Sequence, residues 1–151
     1  MIGLDVTAVD TTAQFKLGTI FSNIGANGPS KDFKYVKFAA GGGAAGVVGE
    51  ATYYHAAGGY QDSLVSSDVS ESINLGAGIL QSILTDGTYG WIQISGPATL
   101  TIALTAGADG NALTAVGTAD GALDVSGAVT DAVVAFADDI SAKEIVCMFP
   151  R

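Results

Sequence analysis

The sequence predicts an all-β domain, an antiparallel β-sandwich or barrel of jelly-roll-like type, preceded by an extended N-terminal arm. Three observations predict it. Apolar and polar residues alternate with a period of two along most of the apolar stretches, the pattern of strands with one side buried. Asp-Gly pairs at Asp86-Gly87, Asp109-Gly110 and Asp120-Gly121 punctuate those stretches, and Asp-Gly is a strong turn signal because both residues tolerate positive φ. The short segments that result recur at roughly ten-residue spacing, as in sandwiches and barrels.

The elements follow in order. Residues 1–14, "MIGLDVTAVDTTAQ", form the arm. Ile2, Leu4, Val6 and Val9 are apolar enough to be worth burying, but their spacing is too short-lived for a stable helix. Terminal segments stay disordered unless something ties them down. The arm is therefore expected to pack on a neighbouring subunit or partner, with pairing as an edge strand of its own domain as the alternative. Residues 15–151 form a single β-rich domain, since 151 residues suffice for one domain with a core and are too few for two ordinary ones.

Within that domain, "FKYVKFAA" sets Phe33, Tyr35 and Lys37 against Lys34, Val36 and Phe38, so both faces are partly apolar. "GVVGEATYY" and "GGYQDSLV" flank "HAAGG", a glycine-bearing hairpin loop. "INLGAGILQSIL" is a further apolar segment, ended by Asp86-Gly87. Gly87 to Ala108 then runs 22 residues without a charge, long enough for a membrane helix. Its alternation argues otherwise: Tyr89, Trp91, Ile92 and Ile94, then Leu100, Ile102 and Leu104, are interleaved with Gln93, Ser95, Thr99 and Thr101. Gly96-Pro97 is then a turn or bulge, and the stretch a β-hairpin or bent strand pair. Trp91 should share a face with Tyr89, opposite Ile92 and Ile94, in the core or a subunit interface. "NALTAV" and "ALDV" each follow an Asp-Gly turn. "TDAVVAFADDISAK" admits a helix capped by Thr130 or Asp131. The favoured reading has Val133, Val134 and Phe136 in a strand that ends at Asp138-Asp139 and is answered by "KEIVCMF".

Charge narrows the function. The chain carries 15 acidic against 6 basic residues, net -9, and such a polyanion is repelled by nucleic-acid phosphates and anionic lipid heads. No nucleic-acid or membrane partner is expected. Lys16, Lys31, Lys34 and Lys37 against Asp5, Asp10 and Asp32 give residues 1–40 a balance of +1, whereas twelve acids against Lys143 and Arg151 give the remainder -10. A near-neutral N-terminal portion could face an acidic partner.

No motif carries chemistry. "GGGAAG" at Gly41–Gly46 lacks the Gly-Lys-Ser/Thr ending of a phosphate loop and reads as a hairpin tip or close-packed backbone. "GAG" at Gly76–Gly78 fails as a dinucleotide fingerprint. Asp109, Asp120 and Asp124 are too widely spaced for a calcium loop. His55 has no signature serine, and Cys147 reads as a small buried hydrophobe in "EIVCMFP". No enzyme activity, cofactor or metal is expected.

Four stretches carry a family likeness. They are "FKLGTIFSN" with "DFKYVKFAAGGGAAGVVGEATYY", then "GILQSILTDGTYGWIQISGPATLTI", then "GNALTAVGTADGALDV", and finally "VVAFADDISAKEIVCMFPR". In their order the chain resembles the capsid decoration, or cement, proteins of tailed bacteriophages. The resemblance implies a β-rich homotrimer bound over junctions between major capsid protein subunits. It places the protein on the outer surface of a virion assembled in the host cytoplasm. A mean hydropathy of +0.41 agrees, since it leaves more apolar surface than a small monomer readily hides. The competing expectation is a virion-displayed carbohydrate-binding or adhesion module, with Tyr53, Tyr54, Tyr60 and Trp91 lining a sugar-stacking face.

Overall fold

Strand β2 (Lys31–Phe38) and strand β6 (Tyr89–Thr99) organise the computed structural model, which describes residues 3–23, 28–40, 44–104 and 106–151. Both strands are apolar on alternate residues of each face, so each is buried on two sides. The other strands are β1 (Ile20–Asn23), β3 (Ala51–His55), β4 (Leu64–Ser66), β5 (Ser72–Leu80), β7 (Ala112–Thr114), β8 (Asp124–Val125), β9 (Val133–Asp139) and β10 (Glu144–Met148). The helical content described is one short 3₁₀ turn, Val69–Glu71, capped by the Asp68 side chain. The all-β class is as expected.

The pairings β2–β4, β4–β3, β3–β5, β5–β6 and β6–β2 close a ring of five strands. The ring departs from the antiparallel plan at one contact, where β2 and β4 run parallel through Lys37↔Leu64 and Phe38↔Val65. Geometry requires this. Directions cannot alternate all the way round a ring with an odd number of strands, so one pair must be parallel. Against the β2 edge away from β6, β1 pairs with Lys31–Lys34 and β4 takes over at Lys37. Ring closure removes the exposed edges that open sheets must protect.

β6 continues past the ring. Its first half pairs with β2 and β5, and its second half, Ser95–Thr99, pairs with β10, which leads into the antiparallel run β10–β9–β7–β8. Gly96 makes the passage at φ +87, a region that favours glycine, and any side chain there would meet the Ser30 carbonyl. The Gly96-Pro97 break is therefore a bend inside one strand and not a hairpin. The second strand expected over Leu100–Leu104 does not form: β6 ends at Thr99, and Thr101 instead donates its backbone N–H to Gly49.

The strand reading of 133–148 holds, with β9 and β10 paired through Val146↔Phe136. β3 and β4 form the expected hairpin around residues 56–63. The glycine of each Asp-Gly pair takes positive φ: Gly87 at +78, Gly110 at +84 and Gly121 at +67. Gly41–Gly43 lie outside the described residues. Gly46 at the end of that run is close-packed, with its N–H on the Leu84 carbonyl and no room for a side chain beside Leu80.

Two apolar clusters result. The larger runs from Val36, Phe38, Tyr54, Leu80 and Ile92 inside the ring to Leu113, Val134 and Ile145 in the extension. The smaller consists of Phe33, Tyr35 and Trp91, covered by Leu4, Val6, Leu17, Phe21 and Tyr89. Trp91 thus shares its face with Tyr89 and lies opposite Ile92 and Ile94, as the alternation predicts.

Close approach inside the ring is set at Gly78 on β5, where a Cβ would lie 2.8 Å from the Gln93 carbonyl oxygen and 3.0 Å from Ile92 Cβ. Neither neighbour is the loose end of a flexible side chain. Gly78→Ala should therefore force β5 from β6 and lower stability by about 1–3 kcal/mol, the usual cost of overpacking. Urea denaturation checks this, with Gly127→Ala, in open space and without a positive φ, as the control.

Candidate functional site

The arm lies along the smaller cluster in this single chain. Leu4 and Val6 are half-buried against the face that holds Trp91, while Val9 stays 46% exposed. Ile2 falls outside the described residues. One isolated bridge, Asp10↔Tyr89, holds the arm's backbone through N···O distances of 2.9 and 2.8 Å. The Tyr35 hydroxyl adds a 2.6 Å hydrogen bond to the Asp10 carboxylate and accepts from the Gln14 N–H at 3.2 Å. Trp91 is 1% exposed, wedged among Phe15, Phe21 and Tyr35 with ring centroids 5.0–6.5 Å away. Tyr53 and Tyr54 are buried as well, so of the four aromatics considered for a sugar platform Tyr60 is left at the surface.

The polar centre of the molecule is a residue that sequence reasoning passed over. Lys34 is 3% exposed, on β2 where its edge passes from β1 to β4. Its Nζ donates to the Tyr54 hydroxyl at 2.9 Å and lies 4.3 Å from the Tyr60 ring centroid and 5.2 Å from that of Tyr54. The Tyr60 ring supplies cation–π attraction, while Tyr54 acts through its hydroxyl. No carboxylate among the described residues pairs with it. Burial therefore acts unopposed and lowers its pKa from the usual lysine value. The signal was in the sequence: Lys34 is in phase with Val36 and Phe38, on a strand whose other face is also apolar.

Around Lys34 the 56–63 loop and the segment before β1 build a shallow cleft of about 420 Å³ lined by Gly18, Lys34, Tyr60, Gln61, Ser63 and Arg151, with Leu17 beside them. Main-chain bonds to β2 fix both walls: Gly18 N–H to Tyr35 O at 2.8 Å, and Lys37 N–H to Ser63 O at 3.0 Å. Ser63 adopts φ +47, uncommon for a residue with a side chain. At the rim the Arg151 guanidinium pairs with Asp32, and the Tyr60 hydroxyl donates to the Arg151 carbonyl.

The histidine, the cysteine and the three turn aspartates singled out in the sequence are accounted for locally. His55 accepts from the Ala57 N–H at 3.0 Å and stands 3.8 Å from Glu71. Cys147 is buried, which pushes its thiol up to about 12. Asp109, Asp120 and Asp124 each accept a different backbone N–H, from Ile140, Val69 and Val125. Among the described residues no three His, Cys, Asp or Glu side chains are grouped to hold a metal, and no helix is long and apolar enough to cross a membrane.

Comparison with known proteins adds no relative: no family model, curated protein or solved structure matches this chain.

Tyr35 and Lys34 each give a measurable expectation. Burial and the Asp10 hydrogen bond raise the Tyr35 hydroxyl from 10.0 to about 12. A raised folded-state pKa means stability that is complete below pH 10 and lost between 10 and about 12. Tyr35→Phe should flatten that alkaline loss in melting scans taken across the window. For Lys34, truncation to methionine orphans the buried Tyr54 hydroxyl, which costs about 1–3 kcal/mol. Lys34→Met with Tyr54→Phe removes both polar partners, so the double variant should regain most of that loss in a chemical-denaturation cycle.

Proposed function

We propose that this chain is a structural virion protein that decorates a bacteriophage capsid, docking as a homotrimer on the outer surface and bridging neighbouring major capsid protein subunits. The observation that carries the reading is an open apolar face on the extension. Pro97, Val146, Phe136 and Ala112 stand opposite one another in register across β6, β10, β9 and β7. Val146 and Phe136 are each 38% exposed, and Met148 beside them is 54% exposed. Contiguous apolar surface of this kind marks interaction sites in soluble proteins. On β10 the inward residues Ile145 and Cys147 are buried, so burial alternates cleanly and the outer side is free for a partner.

The function on this reading is mechanical. Each chain makes modest contacts, and trimeric attachment multiplies them through effective concentration, so that subunits under internal pressure stay joined. The near-neutral N-terminal portion, with its arm along one side of the ring, offers a second contact for the shell. The glycan-binding alternative has weaker support because Tyr53, Tyr54 and Trp91 are buried.

Light scattering on the purified chain, read beside co-sedimentation with capsids, tests the proposal. The expected mass is three times the 15.1 kDa chain. Phe136→Glu with Val146→Glu, both on the solvent side, should leave the circular dichroism unchanged and reduce trimer formation or capsid binding at least tenfold. Monomeric wild-type protein that does not sediment with capsids overturns the reading.

A further inference from the structure

Lys34 presents an imbalance that the assembly reading does not use. A buried ammonium is normally paired with a carboxylate or metal-bound group, because desolvation otherwise favours its neutral form. Here Tyr54 takes one N–H, the Tyr60 face lies against the charge, and the nearest acid along the strand, Asp32, is already held by Arg151. Lys34 nevertheless lines a cleft open to solvent. Ser63 faces the same cleft, its hydroxyl without a hydrogen bond to any described residue, and its Oγ would lie 3.1 Å from a Cβ at Gly18. Ser63 holds its place through a left-handed backbone, and strain of this sort costs about 1–3 kcal/mol and gathers at ligand clamps.

We propose that this cleft is a binding site for the carboxylate group of a small organic acid, with the Lys34 ammonium as its counter-ion and the Ser63 hydroxyl as a second donor. Charge selects the class of ligand. One uncompensated positive charge matches one negative charge, and a dianion such as sulfate would leave an excess in a chain that already carries -9. Geometry selects the rest. The exposed Tyr60 ring, 46% accessible, forms a flat wall on which the apolar part of the acid can lie. Gly18 leaves that side of the cleft open, since any side chain there would press on Ser63 Oγ. The site is independent of the apolar face on β9 and β10, so either proposal can fail without the other.

Titration of the full chain with sodium acetate, sodium benzoate and sodium sulfate, each against sodium chloride at matched ionic strength, tests it. The readouts are the lysine side-chain NMR resonances and the thermal midpoint. Acetate and benzoate should move the Lys34 resonance saturably and raise the midpoint by a few degrees, because a ligand bound to the native state stabilises it by mass action. Benzoate should bind more tightly than acetate, through Tyr60. Ser63→Ala should weaken binding about two- to tenfold, the value of one hydrogen bond. The Lys34→Met, Tyr54→Phe double variant should show no midpoint rise beyond chloride. A carboxylate response no larger than chloride's, a response that survives in the double variant, or sulfate binding as tightly as acetate would each overturn the assignment.

Discussion

Six register pairs join β2 to β6, from Asp32↔Ser95 to Lys37↔Tyr89, and they turn a row of strands into a ring. Without them β2 would be an edge held by two short strands, β1 and β4, and β6 would connect β5 to β10 as an ordinary internal strand. With them, both strands acquire two buried faces. One face fills the ring with Val36, Phe38, Ile92 and Ile94; the other offers Phe33, Tyr35 and Trp91 to whatever lies outside. The arm and β1 cover that outer face because a chain of this composition cannot leave Trp91 wet without losing a large part of its apolar burial. The β2–β6 ladder thus dictates where the N-terminal segment lies, although it contributes a single backbone bridge to hold it there.

The same ladder explains how much was legible in the sequence. Period-two alternation identified β2, β6 and β10, and the Asp-Gly pairs placed three turns, because each of these signals is local. The Lys34–Val36–Phe38 phase was visible too, but it did not reveal that Lys34 sits under Tyr60, since that contact spans the ring. Leu100, Ile102 and Leu104 continued the alternation and still made no strand. Beyond Gly96 the partner of β6 is β10, whose last pairing residue on that side, Glu144, meets Thr99; one further bond joins the Leu100 N–H to the Lys143 carbonyl, and the β6–β10 ladder stops there. Periodicity tells which side chains want burial; it does not supply a hydrogen-bonding neighbour. The parallel β2–β4 pair was invisible for a related reason, because it comes from the number of strands in the ring and not from any residue.

The two regions on which the proposals rest differ in how the sequence encodes them. The open face on β9 and β10 reads directly from alternation, since Val146 and Met148 are out of phase with the buried Ile145 and Cys147. An apolar residue on the solvent phase of a strand, repeated across its neighbours, is apolar surface that the fold of the single chain leaves exposed. The Lys34 cleft is encoded the opposite way, by a charged residue on the buried phase. Each is a local violation of the pattern that builds the rest of the fold, and such violations are where function is expected to be found.

Three tyrosines tie the irregular parts to the ring, and their chemistry is shared. Tyr35 on β2 donates to Asp10 of the arm; Tyr53 on β3 donates to the carbonyls of Ala119 and Ala122 in the loop before β8; Tyr54 on β3 accepts from Lys34. Each ring buries its carbon against a cluster and delivers one hydroxyl to a group that the strand ladder leaves unmet. Burial raises the pKa of all three, so they stay neutral and keep their protons across the physiological range. A neutral phenol is the right group for the task. It can satisfy an acid, a backbone carbonyl or an ammonium without adding a charge that the core would have to compensate, and this chain has few charges to spare. Two of the three tethers end on groups whose needs are then met. The one at Tyr54 ends on Lys34, whose positive charge a hydroxyl can solvate but cannot neutralise, and this leaves the cleft, alone among the three tethered positions described, with a charge still to be matched.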